Sequence, residues 1–262
     1  MKNNIIVIKI GGSTLGQHDT TLLDVVELQK RAIPVVIIHG GGKIITEWLG
    51  KMAASTQFIQ GERVTDQKGL EVATAVLSGV VNKDLVATLN AAGAKAIGLS
   101  GVDGGLLTAK VKNPDLGYVG NIEKVNTDML ITLLDAGYLP VISSISINPD
   151  LKPGNGPLLL NVNADVAAGE IAAALKASKL VFLTDIAGIC DKTGQVIPAL
   201  DLREAEALIE SGVATSGMIP KIRSGIRAAS VTGSARIIDG RRPHALLNEI
   251  ENSHGGTTIY KQ

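Results

Sequence analysis

A chain of 262 residues, 45% apolar and 19% charged, is long enough to bury most of the apolar surface its unfolded form exposes, as one large or two modest domains. Its 25 basic and 25 acidic side chains cancel and only 2% of residues are aromatic, which argues against a nucleic-acid footprint and against a base-stacking platform. A single cysteine, Cys190, excludes an internal disulfide framework. The histidines His18, His39, His244 and His254 lack metal-ligand spacing, and no apolar run has the length of a signal peptide or a membrane span, so a reducing, cytoplasmic setting is expected.

The first predicted strand, residues 5–10, is apolar except for Lys9 and opens into Gly11-Gly12-Ser13. An edge-strand lysine snorkelling to water is the plain explanation. The alternative sets a cationic tip beside backbone N–H groups that glycines leave uncovered, which suits phosphate. A second strand, 35–38, ends in His39-Gly40-Gly41-Gly42-Lys43, after which Ile44, Ile45, Trp48, Leu49 and Met52 recur at helical spacing. The junction is not a Walker A loop, because Ile44 stands where Ser or Thr should meet magnesium and Ile37 where the first glycine should be. Nor is it G-x-G-x-x-G, because Ile45 takes the last glycine position. A plain tight turn and an anion-holding helix start both remain open. Gln57 to Val64 reads as a hairpin, and within Gly61-Glu62-Arg63-Val64-Thr65-Asp66 the guanidinium either forks onto a substrate carboxylate or pairs with Glu62 or Asp66.

Leu70, Ala73, Val76, Leu77 and Val80 predict a second amphipathic helix, and strands follow at 94–99 and 139–142. Gly98-Leu99-Ser100-Gly101-Val102 imitates a nucleophile elbow but lacks its final glycine, which argues against a serine hydrolase. Residues 149–157 form a turn-rich excursion of the kind that often covers a substrate. Asn161-Val162-Asn163-Ala164-Asp165 then leads into an Ala-rich helix. Alternation sends both asparagines and the aspartate to one side, and capping by Asn163 or Asp165 explains part of the pattern. The helix ends near Ala177-Ser178-Lys179, the one plausible division of the chain.

Leu183-Thr184-Asp185 closes the strand at 180–183, at the edge where ligands of open α/β sheets gather. Asp201 and Glu204 predict a capping box for a helix that stops at Gly212. Ser216-Gly217-Met218-Ile219-Pro220-Lys221 opens another helix, with proline in its first turn and an isolated lysine, and the strand at 235–238 follows. Strands alternating with helices predict a mostly parallel sheet covered on both faces.

In this order, K-I-G-G-S, H-G-G-G-K, G-E-R-V-T-D, V-N-K, N-V-N-A-D, L-T-D and G-M-I-P-K resemble the amino acid kinase family, almost from Lys9 to Ile259. The resemblance implies an α/β, three-layer αβα sandwich of the carbamate kinase-like type, with a central, mostly parallel sheet and two lobes. Residues 1–178 would bind an amino acid and mediate dimerisation, and residues 179–262 would bind ATP. The nearest branch moves the γ-phosphoryl group of ATP onto the γ-carboxylate of N-acetyl-L-glutamate in arginine biosynthesis.

The same resemblance implies that Lys9 and Lys221 reach the phosphoryl group while Asp165 holds both lysines. Gly41, Gly42, Arg63 and Asn161 would seat the acid, and Gly11, Gly12, Thr184, Asp185, Gly217 and Met218 would surround the nucleotide. Mg2+ would ride on the nucleotide phosphates, with no protein metal ligand. A carboxylate already ionised near neutrality needs no general base. Arginine-inhibited members carry an extra N-terminal helix, whereas here the first strand begins within a few residues of Met1, so a homodimer without arginine feedback is expected. The rival readings are a sister kinase of carrier-protein-linked aminoadipate or glutamate and a catalytically silent nucleotide sensor.

Overall fold

Each predicted β-branched run becomes a strand, and what separates the runs becomes helical cover together with a second sheet, residues 107–111, 120–125, 145–147 and 159–161, and a short hairpin at 58–63. The structure is a computed structural model that describes residues 4–11, 20–54, 56–59, 61–152, 154, 156–214, 217–252 and 255–262. In chain order the first half contains β1 (Ile6–Ile10), α1 (Thr21–Lys30), β2 (Val35–His39), α2 (Gly42–Lys51), β3 (Phe58–Ile59), β4 (Glu62–Arg63), α3 (Gln67–Thr74), a π-helical stretch (Ala75–Val81), α4 (Asn82–Ala91) and β5 (Ala96–Ser100). Next come β6 (Leu107–Val111), β7 (Gly120–Val125), α5 (Asp128–Asp135), β8 (Leu139–Ser143), β9 (Ile145–Ile147), β10 (Leu159–Asn161) and α6 (Ala164–Leu175). The chain finishes with β11 (Lys179–Thr184), β12 (Ala199–Asp201), α7 (Leu202–Glu210), α8 (Ile219–Thr232), β13 (Ser234–Asp239), α9 (Ala245–Asn252) and β14 (Thr257–Tyr260).

Among the described residues eight strands form the central sheet, in the order β12-β14-β13-β11-β1-β2-β8-β5. Every neighbouring pair is parallel except β13 with β14. Parallel strands need crossovers, and crossovers put helices on both faces, so the central strands are buried throughout. The alternation of β1 divides the two layers. Val7 packs with Phe182, Ala168, Ile171 and Ile222 on the face of α6 and α8. Ile6, Ile8 and Ile10 pack with Val25, Leu28, Ile45, Leu77 and Leu246 on the face of α1, α2, the π-helical stretch and α9. Lys9 shares the face of Val7, so its ammonium is directed towards α6. Each fully buried large aliphatic here contributes about 1.5–3 kcal/mol of burial free energy, and these two cores hold the sheet rigid beneath the site.

Three local features depart from the sequence expectation. The predicted amphipathic helix at Leu70–Val80 widens into a π-helical stretch at Ala75–Val81, which turns Val80 out to 42% exposure and brings Val81 in to 6%. The extra residue per turn resets the helical face, which periodicity cannot foresee. Through it α3 and α4 join into one run, Gln67–Ala91, long and apolar enough by length and composition to cross a membrane although no such run was expected. Leu70, Val76, Leu77, Leu85 and Leu89 are instead buried in the core, where α4 packs on β5 and β8. The excursion at 149–157 connects the antiparallel strands β9 and β10, and none of its described residues lines the cavities beside Lys9.

The predicted capping box is present: Asp201 accepts from the amides of Arg203 and Glu204, and Glu204 accepts from that of Asp201. Gly212 follows in the left-handed region at φ +70°, as a helix stop requires. The division at 177–179 falls between α6 and β11, yet β11 pairs with β1 in the same sheet. Buried charge on β13 is structural. Arg236 donates to Glu249 on α9 from Nε at 2.9 Å and from Nη2 at 2.8 Å, and Lys179 approaches the same carboxylate at 3.1 Å.

A candidate active site at the carboxyl ends of the central strands

Lys9 lies on a central strand flanked by β2 and β11, not on an edge, so the snorkelling explanation fails. The residue is 7% exposed, and its Nζ lies 2.9 Å from Asp165 Oδ1. Lys221, from the first turn of α8, donates to Asp165 Oδ2 at 3.0 Å. Oδ1 has no well-directed hydrogen bond, so the Lys9 contact is chiefly coulombic. Burial pushes the Asp165 carboxyl up, but the two ammonium charges outweigh burial and hold it below the ordinary carboxylate range.

Local sequence explains how the three groups meet. Asn163 caps α6 by accepting from the amides of Asp165 and Val166, which leaves Asp165 in the first turn, where the helix dipole favours an anion. The capping reading of N-V-N-A-D therefore holds for Asn163, while Asp165 serves the lysines. Gly169 then lets α8 close on α6, because a Cβ there would sit 2.9 Å from Ser224 Cβ. That crossing brings Lys221 to Asp165.

Two cavities flank the bridge. One, of about 200 Å³, is lined by Lys9, Gly41, Gly42, Arg63, Asn161 and Asp165, with Ser144 and the apolar side chains Ile45, Leu77, Val119 and Val162. The other, of about 250 Å³, is lined by Lys9, Gly11, Gly42, Lys43, Leu183, Thr184, Asp185 and Lys221. Lys9 and Gly42 belong to both. A larger cavity of about 590 Å³ opens at the opposite ends of β1, β2 and β8, with Ile5, Ile33, Leu139 and Leu175 in its wall. It contains none of the predicted residues, and apolar walls do not suit anions.

Arg63 pairs with neither Glu62 nor Asp66. Glu62 meets Lys112 at 2.5 Å, and Asp66 caps α3 through the Gly69 amide. Instead Nη2 donates to the Gly42 carbonyl at 2.9 Å and to Thr46 Oγ1 at 2.8 Å, and the guanidinium lies 4.8 Å from the Phe58 ring centre. These contacts fix the fork at the rim of the first cavity. Asn161 faces it from β10, its Nδ2 donating to Thr65 Oγ1 at 3.2 Å. Between them α2 begins at Gly42 with no side-chain cap, so its first-turn N–H groups are free for an anion. Gly41 is a glycine for packing: a Cβ there would stand 2.7 Å from Leu77 Cδ2.

On the nucleotide side the expected residues gather unevenly. Thr184 and Asp185 line the second cavity, but the Thr184 hydroxyl is engaged with the carbonyls of Ile186 and Ile238. The Gly11 amide donates to the Leu183 carbonyl at 3.3 Å, extending the β1–β11 ladder, so this N–H is not on offer to phosphate as expected. Gly217 reaches the site only through its carbonyl, which accepts from Lys221 at 3.4 Å, while Met218 packs half-buried on the core. Neither lines a cavity. Gly12 lies outside the described residues.

Sequence reading missed Ser144 and the buried pair His39 and Asn82. Asn82 Nδ2 is within 2.9 Å of the Val141 carbonyl and 3.1 Å of His39 Nε2, and it binds together the ends of β2 and β8 beneath the glycines. A polar residue amid the apolar V-N-K run was the available signal. Because Asn82 Nδ2 only donates, His39 Nε2 accepts, and Nδ1–H donates to the Gly40 carbonyl at 3.0 Å. Burial, opposed by the hydrogen bond to the Gly40 carbonyl and aided by the charges of Lys9 and Lys83, lowers this imidazole from 6.5 to about 4.

The unfolded chain therefore takes up this proton at a higher pH than the native one. Stability contributed by neutral His39 is complete above the unfolded value of 6.5 and is lost as pH falls towards 4. The loss amounts to about 3 kcal/mol by the pKa difference. Urea midpoints measured at pH 7 and 4.5 are expected to separate further for the wild type than for His39→Gln; parallel shifts would count against a buried neutral imidazole.

A doubly covered parallel sheet whose carboxyl edge sets two lysines on one carboxylate, between two polar cavities, defines a kinase of the three-layer αβα class. The chain belongs to the amino acid kinase family, whose model matches residues 4–239. It is 44% identical over 260 residues to an acetylglutamate kinase of Dehalococcoides mccartyi, covering 99% of this chain and 96% of that one. Among solved structures it is similar to smu.665 of Streptococcus mutans, with a TM-score of 0.84, 28% identity and 99% of each chain covered. It also resembles the N-acetylglutamate synthase of Neisseria gonorrhoeae, solved with coenzyme A and N-acetyl-glutamate, with a TM-score of 0.84 and 27% identity over 99% of this chain and 60% of that one.

Proposed function

We propose that this chain transfers the γ-phosphoryl group of ATP to the γ-carboxylate of N-acetyl-L-glutamate, giving N-acetyl-L-glutamyl 5-phosphate and ADP. The observation that carries this reading is that Lys9, fixed on Asp165, lines both cavities at once. An acid in the first and a triphosphate in the second would meet at its ammonium. A carboxylate oxygen attacks the γ-phosphorus, the bond from that phosphorus to the bridging oxygen breaks, and ADP leaves with the electron pair. No proton moves, so no general base is needed.

Charge spread over the peripheral phosphoryl oxygens is met by Lys9, Lys221 and the first-turn amides of α2, already in place before reaction. Arg63 takes the α-carboxylate and Asn161 hydrogen-bonds the same acid from the opposite wall. In this reading residues 1–178 seat the acid and residues 179–262 the nucleotide, each contributing one lysine. Both Asp165 oxygens face lysines, and the described residues contain no cluster of three His, Cys, Asp or Glu side chains. In this reading Mg2+ would be carried by the nucleotide phosphates, with Asp185 the carboxylate on that wall. A homodimer accompanies the reading, and light scattering checks it.

Arg63→Ala is expected to raise the KM for the acid about tenfold to a hundredfold, the range of a lost charge-assisted hydrogen bond. An effect confined to ATP would refute the assignment. The activity itself is tested by ADP release from magnesium-ATP with N-acetylglutamate, glutamate, aminoadipate, aspartate and carbamate side by side. Release is expected with N-acetylglutamate alone. Equal rates with free glutamate would overturn the choice of acid, and no release with any of them would leave the silent sensor.

A further inference from the structure

We infer that Lys43 is a third cation of the phosphate site, binding and orienting the nucleotide's phosphates with an ammonium that has no counter-ion among the described residues. The inference rests on the kinase reading above and adds a residue to it. Lys43 lines the same cavity as Lys9, Gly42, Asp185 and Lys221. No ion pair or hydrogen bond engages its ammonium among the described residues, and Asp185, on the same wall, is beyond ion-pair distance. Its exposed stem leaves that charge free to turn into the cavity.

Its place in α2 is electrostatically unfavourable. The helix begins at Gly42, which puts Lys43 in the first turn, where the partial positive charge of the helix end repels a cation. That turn contains no acid, and no side chain caps it. Lys221 also stands in the first turn of its helix, α8, again without an acid in that turn, but there Asp165 of α6 supplies the missing negative charge at 3.0 Å. Two lysines thus occupy unfavourable helix starts that face one cavity, and among the described residues only one of them is compensated by a carboxylate. An anion in the cavity is the remaining compensation for the other.

Formal charge points the same way. Lys9 and Lys221 add two positive charges and Asp165 and Asp185 remove two, which leaves no net positive charge to face a triphosphate. Lys43 makes the sum positive, in line with the free amides of its own helix. This arrangement makes Lys43 a residue for holding the phosphates rather than one fixed at the reacting bond.

Lys43→Met is expected to raise the KM for ATP about tenfold, equivalent to about 1.4 kcal/mol, with a smaller fall in kcat and less than a twofold change in the KM for the acid. Lys43→Arg should restore most of the loss. Relief of the helix-end repulsion predicts that ligand-free Lys43→Met melts at or slightly above the wild-type temperature, while the Tm increase produced by magnesium-ADP shrinks. A merely solvated lysine would change neither the KM for ATP nor the nucleotide-induced shift, and that result overturns the inference. Calorimetric titration of magnesium-ADP separates the two ways of failing. Equal binding by wild type and variant sinks only the role of Lys43, whereas no binding by the wild type sinks the kinase reading and this inference with it.

Discussion

Lys221→Ala is expected to lower kcat by roughly 10²–10³, about 3–4 kcal/mol of lost transition-state stabilisation, while the KM values of both substrates move little. Lys221 is held at 3.0 Å from Asp165 and 3.4 Å from the Gly217 carbonyl, so its ammonium is in position before charge develops on the transferring group. Pre-positioning matters because an interaction made equally with substrate and transition state would appear in KM rather than kcat. The alanine variant should also fold, since the lost side chain is partly exposed and Asp165 keeps Lys9. Single-turnover measurement of acyl phosphate separates chemistry from product release. An unchanged rate of the chemical step would remove Lys221 from the mechanism.

Asp165→Asn is expected to act on both stability and turnover. The amide is the same size, but it leaves Lys9, 9% exposed at its side chain, without a negative partner inside the protein. Breaking a buried ion pair from one side costs about 3–5 kcal/mol, to be read as a lower urea midpoint at pH 7. A specific signature accompanies the loss. Two unneutralised ammonium groups form a stronger anion site, so inorganic phosphate should raise the Tm of Asp165→Asn more than that of the wild type. Equal phosphate responses would mean that the lysines had moved apart and that the carboxylate is not what fixes them. In the wild type the carboxyl is held low by its lysines, so the stability it contributes is present above the unfolded carboxylate range. That stability is lost only on acidification beyond this range, at lower pH than the contribution of His39.

How far the sequence revealed this site depends on whether each fact is local. Lys9 was conspicuous because a lysine in an apolar strand demands a reason, and the Asp201 capping box was legible because it spans four residues. Whether Lys9 lay at an edge or the centre could not be read, since strand order follows from crossovers tens of residues long. The meeting of Lys9, Asp165 and Lys221 depends on three elements far apart in the chain, β1, α6 and α8, and on the close crossing at Gly169. Periodicity missed the π-helical stretch because one inserted residue per turn leaves composition unchanged. Gly11 was expected to offer an amide to phosphate, but the register of β1 with β11 commits that amide to Leu183, a pairing outside the reach of local sequence.

The β1–β11 ladder joins what would be the acid-binding and nucleotide-binding parts through five registered pairs, from Ile6 with Lys179 to Ile10 with Leu183. Drawing those parts away from one another would break the middle of the sheet, so any movement between them has to turn about this ladder rather than pull it apart. At the rim, the Phe58–Arg63 hairpin exposes Phe58 and Ile59 while Arg63 is tied to Gly42 and Thr46. The core then behaves as an anvil: cation spacing is set once, at folding, by the sheet and by Asp165.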